Sequence, residues 1–267
     1  MNICFYILIF ILGITFGSFL TLATYRIPLN QDITHERSYC PNCNHKLAFF
    51  DLIPVFSYIF LGGKCRYCKK KISPRYMIIE LCCGLFFVLF ALALGLNVYT
   101  ITNVQVIEFA IGILYIVLLF LVGAIDKEHA IIDKRVLIYG FVISIINVTY
   151  QYIVCKINLV DYNINRVILY LVLIVLLNLI ELVFIKKDLD YYIGLVTYCV
   201  IISFFTYEIT AILSIIMTLL IISIKLLINK LMNKGNGYNS KNMPVAYYIT
   251  VSNVMVLFAS FLHTFMR

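Results

Sequence analysis

The sequence predicts an all-α protein that crosses a membrane about eight times and carries one small polar insert after its first helix. Three observations predict this. The 267 residues are 63% hydrophobic and only 13% charged, about half the charged share of an ordinary soluble domain. Long runs hold no charge at all: residues 1–25, 81–107, 136–155, 191–206 and 242–266 contain no Asp, Glu, Lys or Arg. Apolar runs of about 18 residues or more read as transmembrane helices. Finally, the Lys and Arg residues gather in alternate loops, as they do in polytopic membrane proteins.

Taken in order, the first helix is expected over 3–25. Its start, "MNICFYILIF", has no positive segment and its apolar run is too long for a cleaved signal peptide. A polar insert follows at 26–75, with Pro28, Pro41, Pro54, Pro74 and four of the nine cysteines; it is too polar to lie in lipid. Further helices are expected over 76–96, 106–126, 135–155, 167–185, 191–206, 208–228 and 247–265. The last two are separated by "NKLMNKGNGYNSKNMP", an Asn-, Gly- and Lys-rich loop. The chain therefore divides into a first transmembrane helix (1–25), the insert (26–75) and a transmembrane core (76–267).

Orientation follows from the cations. The loops at 26–75, 127–135, 186–190 and about 225–241 hold 18 of the 21 Lys and Arg. The other side holds Lys156, Arg166 and Arg267. The cation-rich side is expected to be cytoplasmic. The net charge of +8 is then a topology signal, and it implies membrane lipid rather than nucleic acid as the partner. Asp126, Asp188 and Asp190 all fall at the cytoplasmic ends of their helices.

Within the insert, "CPNC" at 40–43 and "CRYC" at 65–68 are two Cys-x-x-Cys pairs 21 residues apart. This spacing suits a tetrahedral four-thiolate zinc site formed by Cys40, Cys43, Cys65 and Cys68. Lys46, Lys64, Arg66 and Lys69–Lys71 nearby favour thiolates. An insert of this size with few large apolar side chains needs such a staple. Two disulfides are the other reading, disfavoured on a cytoplasmic face. Four protein ligands leave no open position, so the zinc would be structural. Cys4, Cys82, Cys83, Cys155 and Cys199 lie in apolar helices and read as small buried hydrophobes.

Ionisable groups in or at the ends of spanning helices are costly, which makes them functional candidates. Here they are Glu80, Glu108, Asp126, Glu181, Asp188 and Asp190. Two carboxylates held close share a proton; one can activate water while the other donates to a carbonyl. The bland alternative is a set of acids that mark helix ends and face water.

Several stretches resemble the type IV prepilin peptidases, which are leader peptidases and N-methyltransferases of the membrane aspartyl protease class. They are "GSFLTLATYRIP" at 17–28, the two Cys pairs, "DLIPVFSY" at 51–58, "CRYCKKKISPRYMIIELCCG" at 65–84 and "AIDKEHAII" at 124–132. The resemblance covers nearly the first half of the chain and fades afterwards. It implies cleavage of the basic leader of prepilins or pseudopilins after a glycine on the cytoplasmic side. It also implies methylation of the new N terminus with S-adenosylmethionine, although no Gly-rich nucleotide loop marks a site for that cofactor.

By the same resemblance Asp126 matches the first catalytic aspartate and Asp188 the second, with Tyr191 three positions on. Asp190 is the competing choice for the second acid, and Glu181 lies deeper in its helix. Departures from the family pattern are also visible. Asp133 and Lys134 stand in a proline and an aspartate slot, and Asp133 reads as a helix-start acid. Ile185 and Lys187 occupy the glycine slots before the second aspartate, and "MPVAYYI" at 243–249 replaces a Pro-Phe-Gly-Pro type run. These departures support a rival reading: a non-catalytic membrane scaffold that binds pilin-like precursors. A transporter is a further rival, but the acids gather at one membrane edge rather than at the midplane.

Overall fold

The structure, a computed structural model, describes residues 2–154, 168, 172, 188–206, 208–232 and 243–265. Among these, helices are the regular elements: α1 (Asn2–Arg26), the short α2 (Phe56–Phe60), α3 (Arg75–Ala93), α4 (Asn103–His129), α5 (Lys134–Ile153), α6 (Leu189–Ser203), α7 (Glu208–Met232) and α8 (Val245–Phe265). The expected all-helical class stands, and the only strand-like pairings among the described residues are two isolated bridges inside the insert.

Five described helices are long and apolar enough to cross a membrane: Asn2–Arg26, Arg75–Ala93, Asn103–His129, Lys134–Ile153 and Ile209–Ile228. Two shorter apolar stretches, Leu189–Ser203 and Val245–Phe261 within α8, stand beside them. Five such spans thus lie among the described residues. Most of the helix expected over 167–185, including Glu181, lies outside the described residues, as does Cys155.

The chain forms two compact units, one built mainly on Met1–Val117 and the other on Leu118–His263. In the first, α1 and α3 pack backbone to backbone. A Cβ at Gly13 would lie 2.7 Å from the Cα of Gly84, and one at Gly17 would lie 2.6 Å from the Cα of Glu80. Gly13 and Gly17 form a Gly-x-x-x-Gly face, the spacing by which membrane helices approach closely. Phe16 and the fully buried Phe87 fill the seam beside it, with ring centroids 5.7 Å apart. Tyr6 donates to the Leu96 carbonyl at 2.6 Å and ties the start of α1 to the end of α3.

The ends of these helices have local causes. The apolar run of α3 continues past Ala93, but Gly95 (φ +64°) turns the chain. The Leu96 N–H reaches the Ala91 carbonyl at 3.0 Å and the Gly95 N–H that of Leu92 at 2.9 Å, a Schellman closure. Thr102 and Gln105 cap α4 reciprocally, each accepting from the other's backbone N–H at 3.3 and 3.1 Å. Asp133 caps α5, accepting from the Arg135 N–H at 2.9 Å while Arg135 Nη2 pairs with its other oxygen at 2.8 Å. The expected helix-start acid is therefore a cap.

The second unit buries Leu118, Leu119 and Ile125 of α4 against its neighbours. Gly140 of α5 lets Leu118 and Ile201 approach, with a Cβ there 3.0 Å from both. Asn147 donates to the Phe204 carbonyl at 2.9 Å, joining α5 to the end of α6. Tyr198 and Thr250 share a buried hydroxyl–hydroxyl bond of 2.7 Å between α6 and α8.

Candidate functional site

The four cysteines of the insert converge: their sulfurs all lie within 4.8 Å of one another. Sulfurs around a tetrahedral zinc with bonds near 2.3 Å sit roughly 3.8 Å apart, and Cys40 and Cys68 are 3.9 Å apart. The two pairs have the same local build. Cys40 N–H donates to the His45 carbonyl at 3.0 Å and accepts, through its own carbonyl, from Asn44 at 2.8 Å. Cys65 does the same with Lys70 and Lys69, at 2.9 and 3.0 Å. Asn44 and Lys69 take positive φ (54° and 59°) to close each knuckle.

Bonds from neighbouring residues lock the knuckles to each other. The His45 and Tyr67 rings pack with centroids 3.6 Å apart, tilted by 34°. Asn42 donates to the Cys68 sulfur at 3.4 Å and accepts from Lys70 Nζ at 2.7 Å. Asp51 accepts from Arg66 Nε at 2.6 Å, Tyr67 Oη at 3.0 Å and the Ala48 N–H at 3.1 Å. Burial pulls the Asp51 carboxyl upward, but Arg66, Ala48 and Tyr67 bring it below its ordinary range.

The thiols respond to their crowding in opposite directions. The Lys70 backbone N–H and the Asn42 amide hold Cys68 down to about 6. The His45 backbone pulls Cys43 down, yet desolvation and the adjacent Cys40 and Cys68 sulfurs push it up to about 11. Four sulfurs this close cannot all ionise without a cation among them, and the donor set fits a soft divalent ion.

The acid at the end of the apolar run is buried completely: Asp126 is 0% exposed. It lies one turn inside α4 rather than at its end, and the helix runs on to His129 before Ala130 (φ +54°) breaks it. The Tyr191 hydroxyl donates to its Oδ1 at 3.0 Å, and the Tyr247 N–H donates to its Oδ2 at 2.9 Å. The same Tyr191 oxygen accepts from the N–H groups of Val245 at 3.0 Å and Ala246 at 3.3 Å.

The local sequence explains this cluster. Val245 opens α8, so Pro244 stands in its capping position. Proline has no side-chain acceptor, which leaves the first amides of α8 without a local cap. Asp126 of α4 and Tyr191 of α6 take over that task, and the helix start in turn complements a carboxylate. Lys127, next in sequence, lies 4.6 Å above the Tyr247 ring and donates to its hydroxyl at 3.2 Å.

The remaining expected acids fall on several elements. Asp188 is exposed at the N-cap of α6, without a side-chain cap bond. Its carbonyl accepts from the Tyr191 N–H at 3.1 Å, so it stands one turn ahead of the residue that touches Asp126. Asp190 is exposed in the first turn of α6. Glu108 lies near the opposite end of α4, 18 residues from Asp126, or about 27 Å along the axis. Glu80 is buried in α3 and accepts from the Val55 N–H at 2.7 Å. Sequence reasoning used Tyr191 only as a register mark and missed its bond to Asp126; the absence of a capping side chain at Pro244 was the available signal.

Comparison with known proteins bears on the same residues. Residues 11–94 match the family described as the bacterial peptidase A24 N-terminal domain. The chain is similar to the prepilin leader peptidase/N-methyltransferase of Myxococcus xanthus, 45% identical over 83 residues, which is 31% of this chain and 25% of the relative. It is also similar to the protein of that name from Bacillus subtilis, 33% identical over 132 residues, covering 49% of this chain and 50% of the relative. The Vibrio cholerae protein of that name is 39% identical over 89 residues, covering 30% of this chain and 35% of the relative. The chain thus spans between a quarter and half the length of these curated relatives. No solved structure matches. The resemblance read from the motifs holds, and the family match falls in the first part of the chain.

Proposed function

We propose that this chain is a membrane aspartic endopeptidase that removes the leader of type IV prepilins or pseudopilins on the cytoplasmic side, and that N-methylation of the new N terminus is its second activity. The observation that carries the reading is Asp126: a fully buried carboxylate in an apolar helix, with both oxygens held by hydrogen bonds. Such a group is expensive in a membrane protein and is ordinarily kept for function. The names of the similar proteins, leader peptidases and N-methyltransferases, support the choice of reaction.

In this reading Asp126 and Asp188 work as a pair on water. The ionised member takes a proton from the water as it attacks the scissile carbonyl, and the protonated member donates to the carbonyl oxygen. Tyr191 orients Asp126 through its hydroxyl, while the exposed position of Asp188 suits contact with a leader arriving from water. Zinc held by Cys40, Cys43, Cys65 and Cys68 is structural, because four thiolates leave no position for water or substrate. S-adenosylmethionine is the methyl donor implied by the second activity. The cation asymmetry supports a cytoplasmic insert and cytoplasmic acids.

Asn substitutions test the pair when the protein is co-expressed with a prepilin. Asp126→Asn and Asp188→Asn should abolish leader cleavage, since an amide neither activates water nor carries the shared proton. Asp190→Asn and Asp133→Asn should still cut. Normal cleavage by Asp126→Asn would remove the two-aspartate mechanism. A parent protein that binds precursors but never cuts them would establish the scaffold reading, which the residues Ile185 and Lys187 in the glycine slots favour.

A further inference from the structure

The insert turns one apolar face outward. Phe49 and Phe50 in the turn Phe49–Asp51, with Phe56, Ile59 and Phe60 on α2, are between 51% and 82% exposed. Positions 56, 59 and 60 share one side of a helix by their spacing. The other side of α2 is tied inward: Tyr58 donates to the Ile72 carbonyl at 3.3 Å, and its ring lies against Gly63. Phe50, Phe56 and Phe60 line one shallow pocket together with Arg66. A water-borne module stapled by four sulfurs gains nothing from a cluster of exposed phenyl rings, and such a patch marks an interaction surface.

The location of that face identifies what covers it. The Val55 N–H is bound to Glu80 Oε2 at 2.7 Å, and Val55 immediately precedes α2. Glu80 lies five residues into α3, about 7.5 Å along the axis of a membrane-spanning helix. The start of α2 is therefore tied to the first turns of a helix long enough to cross a membrane. The insert also enters from α1 and leaves into α3, both long enough to cross a membrane. Its charge complements the same neighbour, with nine Lys and Arg against three acids over 26–75. Aromatic side chains beside basic ones are the composition of a segment lying in an anionic lipid interface.

We propose that Phe49, Phe50, Phe56, Ile59 and Phe60 form an interfacial anchor that docks the cysteine-bearing insert onto an anionic lipid leaflet. The anchor holds the knuckles at the membrane surface instead of leaving them to move freely in water. It is independent of the peptidase reading, because it rests on the exposure, depth and charge of the insert alone.

The chain contains no tryptophan, so a single introduced one reports its own surroundings. Full-length Phe60→Trp in nanodiscs of phosphatidylglycerol and phosphatidylcholine should emit at short wavelength. It should lose most of its emission when the lipids are brominated near the top of the acyl chains, and respond little to aqueous iodide. Glu36→Trp, in an exposed loop of the same insert, should do the reverse. Phe56→Trp carries the same expectation as Phe60→Trp should the latter misfold. Bromide quenching should weaken in nanodiscs of phosphatidylcholine alone, and equal quenching there would overturn the preference for anionic lipid. Quenching of both face positions by iodide, with no effect of bromide, would place the face in water. Shielding from both quenchers would place it against protein. Either result overturns the anchor.

Discussion

The hydroxyl of Tyr191 donates to Oδ1 of Asp126 at 3.0 Å across 65 residues of sequence. Its lone pairs accept from the first two amides of α8. One phenol therefore joins α4, α6 and α8 at the only fully buried aspartate among the described residues. Tyr191→Phe removes that hydroxyl and keeps the ring. It should destabilise the protein by about 1–3 kcal/mol, the usual cost of leaving buried polar groups unpaired, and should lower kcat for leader cleavage more than it changes KM. Thermal unfolding in detergent and precursor-cleavage kinetics check both. A variant as stable and as active as its parent would deny the hydroxyl this role.

The cysteine cluster predicts metal. Freshly purified protein should contain about one zinc per chain, since four thiolates complete one tetrahedral site. Replacing Cys40 and Cys43 by Ser should release it and leave the insert open to proteolysis. Metal analysis by mass spectrometry, with thiol counting, checks this; disulfides in place of metal would contradict it.

The contact between α1 and α3 predicts intolerance at Gly17. A methyl group there would sit 2.6 Å from the Cα of Glu80, which is backbone and cannot swing aside. Gly17→Ala should cost about 1–3 kcal/mol, the range for overpacking a close contact. Ile7→Ala, on an exposed part of the same helix, should cost less. Thermal unfolding of the two variants side by side measures the difference.

Much of this architecture is legible in the sequence because it is local. Uncharged runs mark the long helices, and Cys-x-x-Cys spacing marks the knuckles, each closed within six residues. The ends are less legible. Leu94 is as apolar as what precedes it, and only Gly95 reveals the turn. Conversely, Asp126 looks like a helix end but lies inside α4, because partners on two other helices satisfy it. The Gly13–Gly17 spacing was readable as a packing face and went unread. The Tyr191 bond is only hinted at by the cap-less Pro244, since its partners come from three helices meeting. The exposed phenyl face of α2 is too short a pattern to stand out beside the apolar runs around it.

The cation pattern predicts sidedness. A single introduced cysteine at Thr100 should react with an impermeant thiol reagent added outside intact cells, and one at Asp32 should not. The basis is the 18 of 21 Lys and Arg assigned to one side. Labelling of position 32 from outside would invert the topology and remove the acids from the leader's side.

Cleavage of a pilin-like precursor by this chain can be read from the mass of the product's N terminus. The protein should be co-expressed with a prepilin bearing a Gly-Phe or Gly-Met junction, and the pilin recovered for intact-mass and N-terminal peptide measurement. The recovered pilin should begin at the residue after the glycine and be heavier by one methyl group, with full-length precursor when Asp126 is replaced by Asn. Full-length precursor recovered with the unmutated protein would contradict it.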